Sequence, residues 1–169
     1  MRITIELLEE KRVDAELIEW FIDNFPSTLE ADSDDILELL KKQKLCFLQP
    51  FLIKIFKLNY AYESFYTNGK RRCVKNYVNG NLDGECISYY QTGNPESKEN
   101  YIDGKLNGLC EWYRKNGEIE CRSNYVEGML DGLFEWFYPS GNVKFREYYR
   151  EDKKYKKSEM FNIDGVTRA

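Results

Sequence analysis

Residues 124–141 read NYVEGMLDGLFEWFYPSG. Two glycines stand four residues apart, a run of large aromatic and acidic residues follows, and Pro-Ser-Gly closes the stretch. Alone, it fits either a glycine-rich cradle for a ligand or the punctuation of a repeating fold. The positions of the other glycines decide between the two. Gly69, Gly93, Gly117, Gly141 and Gly165 are spaced by 24 residues, as are Gly80, Gly104 and Gly128, and as are Gly84, Gly108 and Gly132. These eleven are all the glycines of the protein. Aromatic residues keep the same period. Phe65, Tyr89, Tyr113, Phe137 and Phe161 form one column, Tyr77, Tyr101, Tyr125 and Tyr149 a second, and Leu82, Leu106 and Leu130 a third. The glycines neither follow G-x-G-x-x-G nor open a helix, so the phosphate-cradle reading fails.

Each unit contains two strand-like stretches of about seven residues separated by two turns. One turn is built on Asn68-Gly69, Asn116-Gly117, Ser140-Gly141 or Asp164-Gly165, pairs expected to supply the positive φ angles of tight hairpins. The other is NGNLDG at 79–84, repeated as DGKLNG and EGMLDG. Such units are β-hairpins, and hairpins laid side by side make one long antiparallel sheet in which each repeat touches only its neighbours. At about 4.8 Å per strand, four and a half units give a ribbon roughly 45 Å long.

Residues 1–59 contain no glycine and follow a different grammar. Thr4 is placed to cap a short helix through Leu7 and Leu8, and Asp14 a second whose face holds Leu17, Ile18, Phe21 and Ile22, ended by Pro26. Ser33 or Asp34 opens a third helix with Ile36, Leu37, Leu39 and Leu40 inside, and a fourth starts near Pro50. The expected fold class is therefore α+β: a helical N-terminal domain or cap over 1–59, then an elongated single antiparallel sheet of hairpin repeats over 60–169. Between Glu6 and Glu38 twelve acids stand against Lys11 and Arg12, a local balance of −10. That is either a solvated outer face or a docking surface for a basic partner.

The string Y-x-x-N-G, about seven residues, then Y-x-x-G-x-x-x-G runs through YTNGKRRCVKNYVNGNLDG (66–84, with Phe65 as the leading aromatic) and WYRKNGEIECRSNYVEGMLDG (112–132). It resembles the MORN-repeat-variant family, and the resemblance covers residues 62–165. In the fourth copy Asp152 and Lys156 replace the second and third glycines, so that turn is expected to differ or the ladder to fray. The segment ITIELLEE…EWFIDNFP is similar to the short helical segment that precedes repeats in some bacterial and prophage proteins. The family resemblance implies a binding role, since its bacterial members are often labelled antitoxins. MORN repeats of some eukaryotic proteins are associated with phosphoinositide membranes. The repeat half here carries seventeen basic and seventeen acidic residues, which gives no broad attraction to anionic lipid.

Composition narrows the chemistry. Histidine is absent, which removes the commonest general base, every Ser-His or Cys-His pair and all imidazole ligands. Cys46, Cys73, Cys86, Cys110 and Cys121 are odd in number and lack C-x-x-C spacing, so they read as reduced thiols of a cytoplasmic protein, with no metal site. Asp83 and Asp131 lie in turns, where Asp is favoured for its own backbone bonds. The expectation is no catalysis, no cofactor, and a cytoplasmic location in a bacterium or in a cell infected by a phage or virus. No apolar run reaches the roughly 18 residues of a membrane span.

Two surfaces remain as candidate sites. Period-2 alternation puts Leu109, Glu111 and Tyr113 on one face with Leu133, Glu135 and Phe137, and Cys110, Trp112 and Arg114 on the other with Phe134, Trp136 and Tyr138, joined by Tyr90. The constant columns stack the repeats, whereas Tyr90, Trp112, Arg114, Phe134, Trp136 and Tyr138 are residue types that dominate protein interfaces. They form either a partner-binding face, engaging a toxin, a host defence protein or another target, or a second core, for instance under the N-terminal helices or against another copy of the protein. The alternative site is the basic stretch Lys144, Arg146, Arg150, Lys153, Lys154, Lys156 and Lys157. There Tyr148, Tyr149 and Tyr155 are interleaved for stacking on nucleic-acid bases, or else the stretch is a solvated strand and loop.

Overall fold

The computed structural model describes residues 2–24, 30–42 and 49–166. The chain divides into two compact units, Met1–Phe56 and Lys57–Ala169.

In the first unit the expected helices form as α1 (Ile5–Glu10), α2 (Ala15–Asn24), α3 (Ser33–Lys42) and α4 (Gln49–Ile55). The Thr4 hydroxyl accepts from the Leu7 amide at 3.2 Å, and the Asp14 carboxylate accepts from the Glu16 amide at 2.9 Å, so both caps do what their residue types suit them for. Ile3, Leu8, Leu17, Phe21, Ile36, Leu37, Leu52 and Ile53 are buried. Ile22 is the exception on the α2 face: it is 40% exposed, because Leu17 and Phe21, one turn apart, define a narrower buried stripe than the sequence suggests. Two short strands absent from the sequence reading, β1 (Arg2–Thr4) and β2 (Glu30–Asp32), pair antiparallel. Each is three residues long, too short to show alternation. Pro26 and Cys46 lie outside the described residues.

The second unit is a 12-stranded antiparallel sheet. Its strands are β3 (Tyr60–Phe65), β4 (Arg71–Val78), β5 (Asn81–Leu82), β6 (Gly84–Tyr89), β7 (Pro95–Ile102), β8 (Lys105–Leu106) and β9 (Gly108–Tyr113), followed by β10 (Ile119–Val126), β11 (Met129–Phe137), β12 (Val143–Arg150), β13 (Lys153–Lys154) and β14 (Glu159–Met160). Chain order is spatial order, and the short strands β5, β8 and β14 pair with β4, β7 and β12.

The two turns of each repeat exchange the roles expected of them. The tight two-residue hairpins are Asn79-Gly80, Asp103-Gly104 and Glu127-Gly128, where both residues have positive φ, as a type I′ turn requires. In the Asn68-Gly69 class only the glycine has positive φ. There Tyr66 N–H donates to the Lys70 carbonyl and Gly69 N–H to the Tyr66 carbonyl, a three-residue loop with the glycine at its bulge. Asn-Gly marks a hairpin in both classes, but the sequence does not show which loop length it closes.

The fourth copy keeps the turn without glycine. Glu151 and Asp152 sit at φ 49° and 62°. The Asp152 carboxylate accepts from the Leu130 amide at 2.7 Å, a bond that glycine cannot make and that offsets the left-handed strain. Beyond it the ladder is short: β14 meets β12 at Phe145↔Met160 and Arg146↔Glu159, and the Phe161 amide adds one bond to the Lys144 carbonyl at 3.0 Å.

Repeats are stitched at the sheet margin that carries the two-residue turns. The amides of Gly80, Gly104, Gly128 and Asp152 donate to the carbonyls of Leu58, Leu82, Leu106 and Leu130, one repeat earlier. Asp83 accepts from the Asp103 amide at 3.1 Å and Asp131 from the Glu151 amide at 3.2 Å.

Candidate interaction surface

Register assigns every strand residue to a face. On one face runs a continuous row of charges: Lys98 opposes Glu111, Glu111 opposes Arg122, Arg122 opposes Glu135, Glu135 opposes Arg146, and Arg146 opposes Glu159. Glu135 is 1% exposed and is held from both sides, by Arg122 Nε and Arg146 Nε at 2.6 Å each. Burial pushes its carboxyl up, but the hydrogen bonds from Arg146 and Arg122 outweigh burial and hold it below the ordinary carboxylate range. The cations lie over the aromatic column of the next repeat, Arg122 over Phe137 at 5.4 Å and Arg146 over Phe161 at 5.2 Å. This row was legible as Glu111, Glu135 and Glu159 with Lys98, Arg122 and Arg146, all on the 24-residue period, yet a search for glycine and aromatic columns passes over it. The same holds for Asn76 and Asn100, whose amides donate to the carbonyls of Glu85 and Leu109 at 2.9 and 2.7 Å across the glycine bulges.

The other face carries the candidate partner-binding residues. Ser97 opposes Trp112, Trp112 opposes Cys121, Cys121 opposes Trp136, Trp136 opposes Phe145 and Phe145 opposes Met160. Side chains along this row grow from small and polar at the early repeats to large and apolar at the late ones. Trp136 stacks on Phe145 with centroids 6.2 Å apart, and Phe134 lies 5.8 Å from Phe145 and 6.4 Å from Trp136. Phe145 belongs to this cluster but escaped the sequence reading, which sorted faces only on strands that follow a double-glycine turn. All three rings are half-buried, as is Trp112. The cysteines on this face are buried, and burial pushes the Cys121 thiol up to about 11, so it is a packing group at neutral pH.

Tyr90, Arg114 and Tyr138 are engaged differently. Tyr66, Tyr90 and Tyr138 donate their hydroxyls to the carbonyls of Tyr89, Tyr113 and Phe161, and Arg114 donates to the Phe137 carbonyl, each reaching 23 residues ahead at 2.6 to 3.1 Å. Together they form a column of clasps between repeats. Tyr90→Phe is expected to cost about 1 kcal/mol of stability in urea unfolding, the net worth of one such bond.

The basic stretch is only partly free. Arg146 serves Glu135, and Lys154 bonds Glu147 at 2.7 Å. Lys144 lies over the Tyr138 ring at 5.8 Å. Arg150, Lys153, Lys156 and Lys157 are exposed, but Lys156 Nζ lies 4.4 Å from the Tyr148 centroid and Arg150 lies 5.2 Å from that of Tyr155. Tyr148 and Tyr155 meet edge to face at 6.3 Å, and the Tyr149 hydroxyl donates to Glu147. Of the rings proposed for base stacking, two are already covered by cations.

The sequence profile of the MORN repeat variant matches residues 82–103, 106–127 and 130–159, in phase with the hairpins described above. No curated protein matches the chain. Among solved structures it is similar to part of the Glycosylation Associate Protein (Gap123) complex from Streptococcus agalactiae, at 18% identity and TM-score 0.37 over 62% of this chain and 20% of that one. It is also similar to accessory secretory protein 1,2 and 3 of Streptococcus pneumoniae (13%, TM-score 0.34, covering 54% and 17%) and to a mutant of S. aureus TarM (12%, TM-score 0.30, covering 96% and 28%). The chain thus spans less than a third of each, and at these TM-scores the likeness bears on no activity. Among the described residues, no helix is long and apolar enough to cross a membrane.

Proposed function

We propose that this protein is a non-catalytic binding module that grips another protein through the late-repeat aromatic face and inhibits or scaffolds it. The observation that carries this reading is the half-exposed cluster of Phe134, Trp136 and Phe145, flanked by Trp112 and by Met160, which is 51% exposed. Packing between repeats explains rings buried between strands; it leaves unexplained why the large rings gather at one end of one face. MORN repeats commonly serve as interaction modules, which is compatible with the reading. Asp83 and Asp131 are occupied in turn bonding, which favours a role without catalysis. Within this class we favour an antitoxin- or immunity-like protein, or a phage or viral inhibitor of host defence, acting in the cytoplasm with its thiols reduced. Affinity capture with the wild type and with Trp136→Ala, followed by mass spectrometry, tests it. A protein captured by the wild type and lost by at least about tenfold with the variant, at unchanged thermal stability, is the expected outcome. Equal capture by both sinks the aromatic face as the site.

The second reading is binding of nucleic acid or another anionic surface through residues 144–157, favoured by exposed Arg150, Lys153, Lys156 and Lys157. Partner affinity that falls steeply between low and high salt supports it; near indifference to salt supports the aromatic face.

A further inference from the structure

On the face that carries Trp136, Cys73 opposes Ser88 and Ser88 opposes Ser97, a row of small side chains across β4, β6 and β7. Lys75 and Tyr77 follow Cys73 at every second residue, and Glu99 and Tyr101 follow Ser97 in the same way, so all of them share this face. Cys86, which opposes Glu99, stands on the strand between Lys75 and Glu99 and is 5% exposed. Both charges are half-buried. Among the described residues Lys75 forms no ion pair, and the Glu99 carboxylate meets the Tyr101 hydroxyl at 2.9 Å and no cation. Their column runs Lys75, Glu99, Ser123, Glu147, so only its first two copies place opposite charges in adjacent repeats.

We propose that a second copy of this chain docks face to face on the early repeats, about a two-fold axis along β6, so that Lys75 of each copy meets Glu99 of the other. In a two-fold contact one patch meets itself, so the patch must be self-complementary. An axis parallel to the strands keeps each residue's place along its strand and reverses the strand order, which lays β4 of one copy over β7 of the other. Lys75 then meets Glu99 twice, Tyr77 meets Tyr101, small Cys73 meets small Ser97, and Ser88 lies at the axis. Facing sheets pack about 10 Å apart, a gap that a lysine and a glutamate span together. An axis along β9 would instead set Glu99 against Ser123 and leave the carboxylate without a cation. The overlap from β3 to β9, five strands at about 4.8 Å and three side-chain rows at about 7 Å, covers roughly 500 Å² on each copy. A total of about 1,000 Å² suits a weak, exchanging dimer. Phe134, Trp136 and Phe145 lie on β11 and β12, beyond the overlap, so the aromatic face stays open to its own partner.

Sedimentation equilibrium of the full chain, over a micromolar to millimolar series, tests the proposal. The wild type is expected to pass from monomer to dimer across the series. Lys75→Glu and Glu99→Lys each weaken association at least about tenfold, because each homodimer then holds two like-charge contacts. Mixed in equal amounts, the two variants associate about as tightly as the wild type, since every reversed charge now meets its opposite. Lys75→Ser, which introduces the residue that the column already holds at Ser123, weakens the dimer without a reversal and decides the matter if a reversed variant fails to fold. A wild type that stays monomeric at millimolar concentration, a dimer indifferent to Lys75→Glu or Lys75→Ser, or folded variants that associate no better mixed than alone overturns the proposal. Trp136→Ala is expected to leave the dimer intact, so the early-repeat contact and the aromatic face stand or fall separately; loss of the dimer in that variant also overturns the proposal.

Discussion

Replacing both Arg122 and Arg146 by methionine is expected to destabilise the protein at neutral pH by about 3–5 kcal/mol, the range for a buried charge stripped of its partners. Glu135 is 1% exposed, and its two carboxylate oxygens are each claimed by one arginine at 2.6 Å. With the arginines gone, burial alone governs the carboxyl and its pKa rises. The sign of the pH response separates this mechanism from lost packing. In the wild type the folded-state pKa of Glu135 lies below its unfolded value, so its contribution is fully present above the ordinary carboxylate range and is lost as pH falls through the folded value. In the double variant the folded value lies above the unfolded one. Acidification then restores stability, because the neutral acid is the form that tolerates burial. Urea unfolding at pH 7 and near pH 4 should therefore show the gap between variant and wild type narrowing on acidification. A gap of the same size at both pH values would assign the loss to the missing side-chain stems and not to charge.

The fold was legible because its information is periodic. A 24-residue recurrence of glycine, tyrosine and leucine specifies hairpins, their number and their order in the sheet, since each column has a purpose only if its members are neighbours in space. Local rules gave the helical caps for the same reason: Thr4 and Asp14 act over two or three residues. What was not legible depends on geometry that side-chain identity does not encode. Asn-Gly suits both a two-residue turn with two positive φ angles and a three-residue loop with one, and only backbone bonding tells which. β1 and β2 are too short to alternate.

The candidate site was legible in part, for an instructive reason. Sorting residues into constant and variable columns treats variation as freedom. Tyr66, Tyr90, Arg114 and Tyr138 vary in chemistry yet do one job, because a phenol and a guanidinium both carry an N–H or O–H far enough to reach a carbonyl 23 residues ahead. Among the described residues Trp136 and Phe134 make no such bond, and this is what leaves them as the residues of the proposed interaction face. The charge row shows the converse. Val74 and Ile87 interrupt it between Glu63 and Lys98, so the row changes from ionic to apolar and back, and a search for constant residues misses it.

The two glycine classes of the type I′ turn and its following bulge should respond very differently to substitution. At Gly128, φ is 85°, and the fourth copy already places Asp152 at the equivalent position with φ 62°. Gly128→Asn is therefore expected to cost less than about 1 kcal/mol, since Asn tolerates the left-handed region and can bond locally. Gly132 lies at φ 115°, outside the left-handed well open to side chains, and a Cβ there would stand 3.2 Å from the Asn124 Cβ. That neighbour is the near end of its side chain on an adjacent strand, so it moves only with its backbone. Gly132→Ala is expected to cost about 2–4 kcal/mol, combining about 1–3 kcal/mol of backbone strain with the displaced contact. A thermal unfolding series over the two variants checks the difference. Equal losses would mean that the bulge relaxes to another backbone conformation, a slip visible as loss of the paired amide resonances of Ser123 and Phe134, which oppose each other just beyond it.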